Sequence, residues 1–171
     1  VLDSARFRYL ISQHCKVDVG NVHAYILGEH GDSEVAAWSL THVAGVPMDN
    51  FCPQCGNCRD WHGERDRIVR EVKDSAYHII NYKGSTYFGI GMSLARIVGA
   101  ILQDQNSVLT VSTYLEGEYG LHDVCLSIPC VVGQGGVKRI VQAELYPEEQ
   151  STLERSAQIL KDGIASLKQI E

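Results

Sequence analysis

A histidine between two glycines is the strongest candidate for chemistry in this sequence. His30 lies in the segment GEHGDS, residues 28–33, directly after the apolar run at residues 22–27. The β-branched and aromatic residues of that run favour a buried strand, and glycine lets the backbone leave the strand. Imidazole exchanges protons near neutral pH, and loops on a rigid scaffold commonly display reactive side chains. His30 is therefore a candidate general acid and base, and a solvated loop histidine is the alternative.

The start of the chain carries a carboxylate and a guanidinium three positions apart. Asp3 and Arg6 would point to the same side of a helix predicted over residues 3–14. The apolar stripe of this helix is predicted to comprise Leu2, Ala5, Tyr9 and Leu10. A guanidinium can bind a carboxylate through two parallel hydrogen bonds, so Arg6 is a candidate anion-binding residue. The alternatives are that Asp3 caps the helix and that Arg6 pairs with a local acid.

Three segments in this order resemble the bacterial type of the L-lactate dehydrogenase family. They are LDSARFR at residues 2–8, GEHGDS at residues 28–33 and KGSTYFGI at residues 83–90. The resemblance covers essentially the whole chain but only the second half of the family's length. It implies that residues 1–171 form a catalytic, substrate-binding C-terminal domain. The N-terminal dinucleotide-binding domain is expected to be absent from this chain, which also has no initiator methionine.

The resemblance implies a reaction and a role for each matched residue. The reaction is the NAD-dependent interconversion of pyruvate and L-lactate, a step of glycolysis and pyruvate fermentation. His30 would transfer the proton, with Asp3 as its partner. Arg6 would bind the substrate carboxylate, and Thr86 would line the pocket, with helix capping as the alternative for Thr86. NAD would be bound mainly by the missing half, so the isolated chain is expected to be inactive and none of its residues is assigned to the cofactor.

Glu29 bears on the choice of substrate. Lactate dehydrogenases commonly have GEHGD at this place, whereas malate dehydrogenases commonly have a second glycine at the position of Glu29. The sequence therefore favours lactate. The alternative is half of a malate or other 2-hydroxy-acid dehydrogenase, because the loop that decides specificity belongs to the missing half.

Arg8 and His23 match two positions that bind fructose 1,6-bisphosphate in allosteric bacterial lactate dehydrogenases. The resemblance implies a homo-oligomer, a dimer or a tetramer, in which two subunits related by a two-fold axis hold the bisphosphate between paired cations. The alternative is that Arg8 is a solvated helix residue and His23 a strand residue with a local partner.

The six cysteines permit a different class of function. Three of them, Cys52, Cys55 and Cys58, lie close together, and His62 follows Cys58 by four residues. These side chains could in principle bind zinc or an iron–sulfur cluster. A structural metal site usually combines two separated groups of ligands, and only one is apparent. The segment 50–60 is therefore predicted to be a reduced loop without a metal, and a metal-binding or oligomerisation module is the alternative.

The remaining cysteines give no sign of a disulfide scaffold. Cys125 and Cys130 lie within or beside a predicted buried strand and are predicted to be structural. Six unevenly spaced cysteines in a chain of this length are typical of a reducing cytoplasm.

Composition and patterning predict one α+β domain. The chain has 171 residues, of which 44% are hydrophobic, and a net charge of −6. This composition does not indicate a basic surface that would bind nucleic acid or an anionic membrane. No apolar run approaches the roughly 20 residues of a membrane helix. Helices and strands occur in blocks, which favours an antiparallel or mixed sheet packed against long helices. Strands are predicted at 22–27, 34–40, 107–115, 124–132 and 137–140, and further helices at 63–82, at 86–103 as the buried central helix, and from 147 onward.

Overall fold

The structure is a computed structural model that describes residues 1–57 and 59–167. Its helices are α1 (Leu2–Cys15), α2 (Met48–Cys55), α3 (Trp61–Lys83), α4 (Phe88–Leu102) and α5 (Pro147–Leu167). Its strands are β1 (Val22–His23), β2 (Ile26–Leu27), β3 (Val35–Ala36), β4 (His42–Val43), β5 (Val46–Pro47), β6 (Ser107–Glu116), β7 (His122–Gly133) and β8 (Gly136–Ile140). The predicted α+β class is confirmed. The described residues form two compact units, the first within residues 1–25 and 36–99 and the second within residues 26–35 and 100–167.

Helix α1 buries a different face from the predicted one. Its buried residues are Ser4, Phe7, Ile11, Ser12 and Cys15. Apart from the adjacent Ile11 and Ser12, they recur every three to four positions, so they form one continuous stripe on a helix that packs against α3. The predicted stripe is wrong, and Tyr9 is 56% exposed. The helix begins after Val1 without a side-chain cap, so the capping alternative for Asp3 is wrong as well.

Aromatic rings hold the helices of the first unit together. The ring of Trp38 meets Phe7 and Trp61 edge to face, at centroid distances of 4.8 and 5.2 Å. The indole nitrogen of Trp61 donates to Asp49 Oδ1 at 2.9 Å, which connects α3 to α2. Burial lowers the pKa of His14 at the end of α1, although Glu64 opposes this shift.

The predicted loop over residues 50–60 is wrong in its first half, because Met48–Cys55 is the helix α2. Met48 and Cys52, one turn apart, are buried and give this helix an apolar side. Pro53 within the helix concealed that signal. The helix ends at Gly56, which adopts the left-handed conformation with φ of 68°.

Helices α3 and α4 have nearly the predicted bounds, but α4 does not have the predicted burial. Asp60 caps α3 by accepting a hydrogen bond from the Gly63 amide at 3.1 Å. Helix α4 was expected to be the buried central helix, and that prediction is wrong for the described chain. Ala100 is its one buried residue, whereas Phe88 and Met92 are 71% and 72% exposed.

The core of the second unit lies between a three-stranded antiparallel sheet and α5. The strand order is β6-β7-β8, and β7 buries alternate residues such as Leu126 and Ile128. Leu153 and Ala157 on α5 are also buried, and α5 packs on β7. The segment GQGG at 133–136 forms the turn of the β7–β8 hairpin.

Two predicted strands are shorter than expected. The run 22–27 contains two short strands separated by residues 24 and 25: β1, which pairs with β4, and β2, which pairs with β3. The run 34–40 contains β3 and then a 3-10 helix at Trp38–Leu40. A hairpin around the histidine segment is therefore present in a shortened form. Among the described residues, no helix has the length and apolar character needed to cross a membrane.

Candidate active site

Asp3 and Arg6 form an ion pair on α1. A terminal nitrogen of Arg6 donates to Asp3 Oδ1 at 2.9 Å, and the two side chains are only 16% and 17% exposed. Their spacing of three positions places them on one face of the helix, as predicted, and the alternative that Arg6 pairs with a local acid is also observed. A guanidinium has five N–H donors, so a contact with one carboxylate oxygen leaves donors for a second carboxylate. The guanidinium of Arg6 can therefore bind a small organic anion at a partly buried position.

Thr86 lies two residues before α4 and is half-buried. The first turn of α4 packs closely on α1, because a Cβ at Gly89 would lie 3.1 Å from a methyl carbon of Leu2. The start of α4 therefore approaches the start of α1, where Asp3 lies. Sequence analysis did not identify Gly89, because its role in the close contact between α1 and α4 depends on how the two helices pack.

The segment that carries His30 is anchored at its base in the second unit. Gly28 has a φ of 91° and pairs with Ser127 of β7 through two backbone hydrogen bonds of 2.9 and 3.1 Å. A Cβ at Gly28 would lie 2.7 Å from Ser156 Oγ of α5, so only glycine fits there. His30 itself is exposed at the surface of the segment.

Sequence analysis did not identify Ser156 of α5, which contacts this segment. Its Oγ accepts a hydrogen bond from the Glu29 amide at 2.8 Å and lies 3.1 Å from Ser33 Oγ. Ser33 Oγ also donates to Glu29 Oε2, which closes the segment on itself. Ser156 is fully buried and lies more than 120 positions from the residues it contacts. No local signal could have found it.

The predicted partnership between His30 and Asp3 stays a prediction. His30 belongs to the second unit, whereas Asp3 and Arg6 belong to the first. Within each unit the geometry is defined: an anion-binding pair on a helix, and a histidine presented by a glycine-bounded segment.

Arg8 and His23 both lie in the first unit. Burial lowers the pKa of Arg8; Tyr25 opposes this effect and Arg96 adds to it. Arg8 and Arg96 are thus two cations close enough to influence each other, and Arg96 was not identified from the sequence. His23 is exposed on β1 opposite His42 of β4. No described contact joins Arg8 to His23, so their common role stays a prediction.

The cysteines described in the structure form no disulfide. Cys130 is buried, in line with its predicted structural role, but Cys125 is exposed, so the prediction for Cys125 is wrong. Cys58 lies outside the described residues.

The model of the lactate/malate dehydrogenase alpha/beta C-terminal domain matches residues 1–171. The chain belongs to this family. It is 54% identical over 168 residues to the L-lactate dehydrogenase of Treponema denticola, covering 98% of this chain and 53% of that protein. It is 52% identical over 167 residues to the L-lactate dehydrogenase of Acetivibrio thermocellus, covering 98% of this chain and 52% of that protein. The chain therefore spans about half the length of the curated relatives it matches.

Solved structures of the family have the same fold. The minor L-lactate dehydrogenase from Enterococcus mundtii, in its ligand-bound form, aligns with a TM-score of 0.90 and 42% identity over 96% of this chain and 52% of that chain. A lactate dehydrogenase from a deep-sea metagenome library of the Medee basin aligns with a TM-score of 0.93 and 40% identity over 98% of this chain and 53% of that chain. The resemblance inferred from the three segments is confirmed.

Proposed function

We propose that this chain is the substrate-binding and proton-transfer domain of an NAD-dependent L-lactate dehydrogenase that interconverts pyruvate and L-lactate. The observation that carries the proposal is the partly buried Asp3–Arg6 pair at the start of α1, in a chain whose relatives are named L-lactate dehydrogenase. Glu29 in the histidine segment favours lactate over malate. A malate or other 2-hydroxy-acid dehydrogenase is the alternative within the same family.

In the proposed mechanism, Arg6 orients the substrate and His30 moves the proton. The guanidinium of Arg6 holds the substrate carboxylate through two hydrogen bonds, which fixes the direction in which the neighbouring carbonyl points. During reduction, His30 donates a proton to the carbonyl oxygen, and during oxidation it accepts the proton of the hydroxyl group. Asp3 would stabilise the protonated imidazole in the assembled site.

We assign no dinucleotide site to the glycine segment at residues 133–136. The glycine segment 133–136 is the turn of a β-hairpin and does not lead into the N-terminus of a helix, where a pyrophosphate would bind. We therefore assign NAD, which would supply or accept the hydride, mainly to an N-terminal nucleotide-binding half. The cytoplasmic location inferred from the cysteine pattern stays a prediction.

The test of the reaction uses the chain joined to its nucleotide-binding half. His30→Asn should lower kcat for pyruvate reduction by about 100-fold or more with NADH binding nearly unchanged, because general acid catalysis contributes that much. Arg6→Lys should chiefly raise KM for pyruvate, because lysine cannot form the two parallel hydrogen bonds. The exposed His62→Asn and Arg70→Lys on α3 are matched controls and should behave like the parent.

Two results would contradict these assignments. If His30→Asn and Arg6→Lys lowered kcat and raised KM to the same extent, the separate roles of the two residues would be wrong. If the parent reduced oxaloacetate more efficiently than pyruvate, the malate alternative would replace the lactate proposal.

We further propose that the enzyme is a homo-oligomer activated by fructose 1,6-bisphosphate. The half-buried Arg8, with Arg96 nearby, supports a site for an anion, since a bound phosphate would relieve the repulsion between two cations. The exposed apolar side chains of α4 fit an interface either with the N-terminal half or with a second copy. Binding of the bisphosphate between subunits would favour the assembled, active state.

Titration of the full-length enzyme with the bisphosphate at sub-saturating pyruvate tests this regulation. Activity and sedimentation coefficient should both rise, and the response should be lost in Arg8→Gln. Arg70→Gln, which changes an exposed arginine on α3, should respond like the parent. An unchanged response in Arg8→Gln would remove the regulatory proposal and leave the catalytic one intact.

A further inference from the structure

Two helix ends of the first unit bring thiols and an imidazole together. His14 and Cys15 are the last residues of α1, and Cys52 and Cys55 lie on α2. One ring nitrogen of His14 and the sulfur atoms of Cys15 and Cys55 all lie within 4.8 Å of one another. Cys52 Sγ lies 3.6 Å from Nε2 of His14. We call these four residues the thiol–imidazole cluster.

The cluster is well shielded from water. The side chain of His14 is only 5% exposed, and Cys15 and Cys52 are 5% and 1% exposed. Cys55 is half-buried and is therefore the most accessible of the three cysteines. Both chain segments are regular helix up to these residues, so the four donors are attached to rigid elements.

The donor types and their spacing fit a structural zinc site. Zinc in such sites is bound by four sulfur and imidazole nitrogen donors, and one pair of ligands is commonly separated by two residues, as Cys52 and Cys55 are. In a tetrahedral site with Zn–S bonds of ~2.3 Å, the sulfur atoms lie about 3.8 Å apart. The donors that lie within 4.8 Å would therefore need to move by about 1 Å, which side-chain rotation can supply.

The sequence alone did not reveal a second group of metal ligands. The cysteines at 52–58 form one group, and a structural site usually combines two. The fold supplies the other group as the adjacent pair His14 and Cys15, about 40 positions earlier in the chain. The objection to a metal in this region therefore no longer holds.

The surroundings of His14 also suit a ligand. Glu64 Oε2 lies 3.6 Å from Nδ1, and metal-bound histidines typically direct their second nitrogen towards a carboxylate. Glu64 is itself held by Arg67 at 2.8 Å. The ring of Trp61 lies beside the imidazole, at a centroid distance of 5.8 Å, and limits its rotation.

We propose that the thiol–imidazole cluster binds one zinc ion through His14, Cys15 and Cys55, with Cys52 as the fourth ligand. The ion ties the end of α1 to the end of α2. Its role is structural, because four protein ligands leave no open position for a substrate. Binding releases the thiol protons to solvent and involves no change of oxidation state.

The test is the metal content of the full chain, expressed in zinc-supplemented medium and purified under reducing conditions. Elemental analysis should find about one zinc per chain. Cobalt(II) added to the metal-free protein should give the intense visible bands of a tetrahedral ion and a thiolate charge-transfer band in the near ultraviolet. A strong chelator should lower the melting temperature, because ion binding contributes to folding.

Cys55→Ser is the decisive variant, since Cys55 is the least buried ligand and its replacement is the least disruptive to packing. It should bind zinc at least about 10-fold more weakly and lose the sensitivity of its melting temperature to the chelator. The exposed Cys125→Ser on β7 is the matched control and should retain the metal. Far-ultraviolet circular dichroism establishes that both variants are folded.

Several outcomes would overturn the proposal. One is a parent protein that holds less than about a tenth of an equivalent of zinc after incubation with the ion and dialysis. Another is undiminished zinc affinity in Cys55→Ser. A third is a metal-free parent in which mass spectrometry finds Cys15 and Cys55 joined as a disulfide, which would replace the metal site by a redox pair.

Discussion

Cys125 and Cys130 lie on the same strand, β7, but their thiols are in opposite environments. Cys125 is exposed, whereas Cys130 is fully buried and donates a weak hydrogen bond to the Ile128 carbonyl at 3.4 Å. Burial raises the pKa of Cys130 to about 11. The thiolate is the form that reacts with alkylating agents, so a raised pKa and lack of access both suppress the reactivity of Cys130.

We therefore expect iodoacetamide at about pH 8 to label Cys125 and to spare Cys130 in the native protein. Both residues should react once the chain is unfolded in denaturant. Peptide mapping by mass spectrometry measures the two rates. Equal labelling of the two cysteines in native protein would contradict the buried position of Cys130.

At the scale of elements, the histidine segment depends on a contact with α5. Ser156 Oγ is the partner of the Glu29 amide and lies beside Ser33 Oγ. Ser156 is fully buried, so under the proposed function its effect on catalysis would act through the position of His30. Loss of this hydrogen bond leaves a backbone donor unsatisfied, which costs on the order of 1 kcal/mol.

Ser156→Ala in the full-length enzyme should lower kcat for pyruvate reduction about 3- to 10-fold, with KM nearly unchanged, because the loss concerns the position of the proton donor. The pH dependence of kcat should shift with it, which a purely structural defect would not cause. Ser166→Ala, an exposed serine at the end of α5, is the control. Parent-like kcat in Ser156→Ala would show that the segment holds His30 without α5.

The β7–β8 hairpin is held by a carboxylate outside the hairpin. Asp104 Oδ1 accepts hydrogen bonds from Lys138 Nζ at 2.5 Å and from the Gln134 amide at 2.8 Å. The hydrogen bond from Lys138, followed by the one from the Gln134 amide, lowers the pKa of Asp104 below its ordinary value. Since the folded-state pKa is depressed, this carboxylate stabilises the fold above the ordinary pKa, and the contribution is lost as the pH falls through the folded-state value.

Asp104→Asn should therefore lower the free energy of unfolding at pH 7, and the difference from the parent should shrink as the pH falls below about 4. Urea unfolding at a series of pH values measures it. Asp66→Asn changes an exposed carboxylate on α3 and serves as the control. A difference between Asp104→Asn and the parent that does not vary with pH would mean that the ion pair contributes nothing.

At the scale of the whole molecule, α4 is the element whose exposure calls for a partner. Phe88, Met92 and Leu102 are each more than 70% exposed on a helix with no charged residue in its first or last turn. Monomeric proteins rarely leave contiguous apolar surface of this kind in water. The proposed homo-oligomer or the N-terminal half would remove it from solvent.

Met92→Glu should weaken self-association of the full-length protein without unfolding the chain, because an interface would then have to bury a charge. Val19→Glu places the same charge on the exposed 3-10 helix at Val19–Asn21 and should leave assembly unchanged. Sedimentation velocity over a range of protein concentrations distinguishes the two variants. Identical association of Met92→Glu and the parent would exclude α4 from the interface between copies.

Local patterns in the sequence were enough for the α+β class, the bounds of the long helices and the family. Helix periodicity, glycine turns and the spacing of Asp3 from Arg6 all operate within a few residues, where sequence neighbours are spatial neighbours. The same locality identified Gly28 as the place where the strand must turn sharply into the histidine segment.

Only the tertiary structure decided which surfaces and distant side chains meet. Ser156 meets Glu29 across 127 positions, and His14 meets Cys55 across two helices. The exposure of α4 likewise depends on which neighbours cover it, because an apolar helix has the same sequence pattern whether its partner is in the same chain or in another. Packing of this kind depends on the three-dimensional arrangement of the elements, and periodicity along the chain carries no information about it.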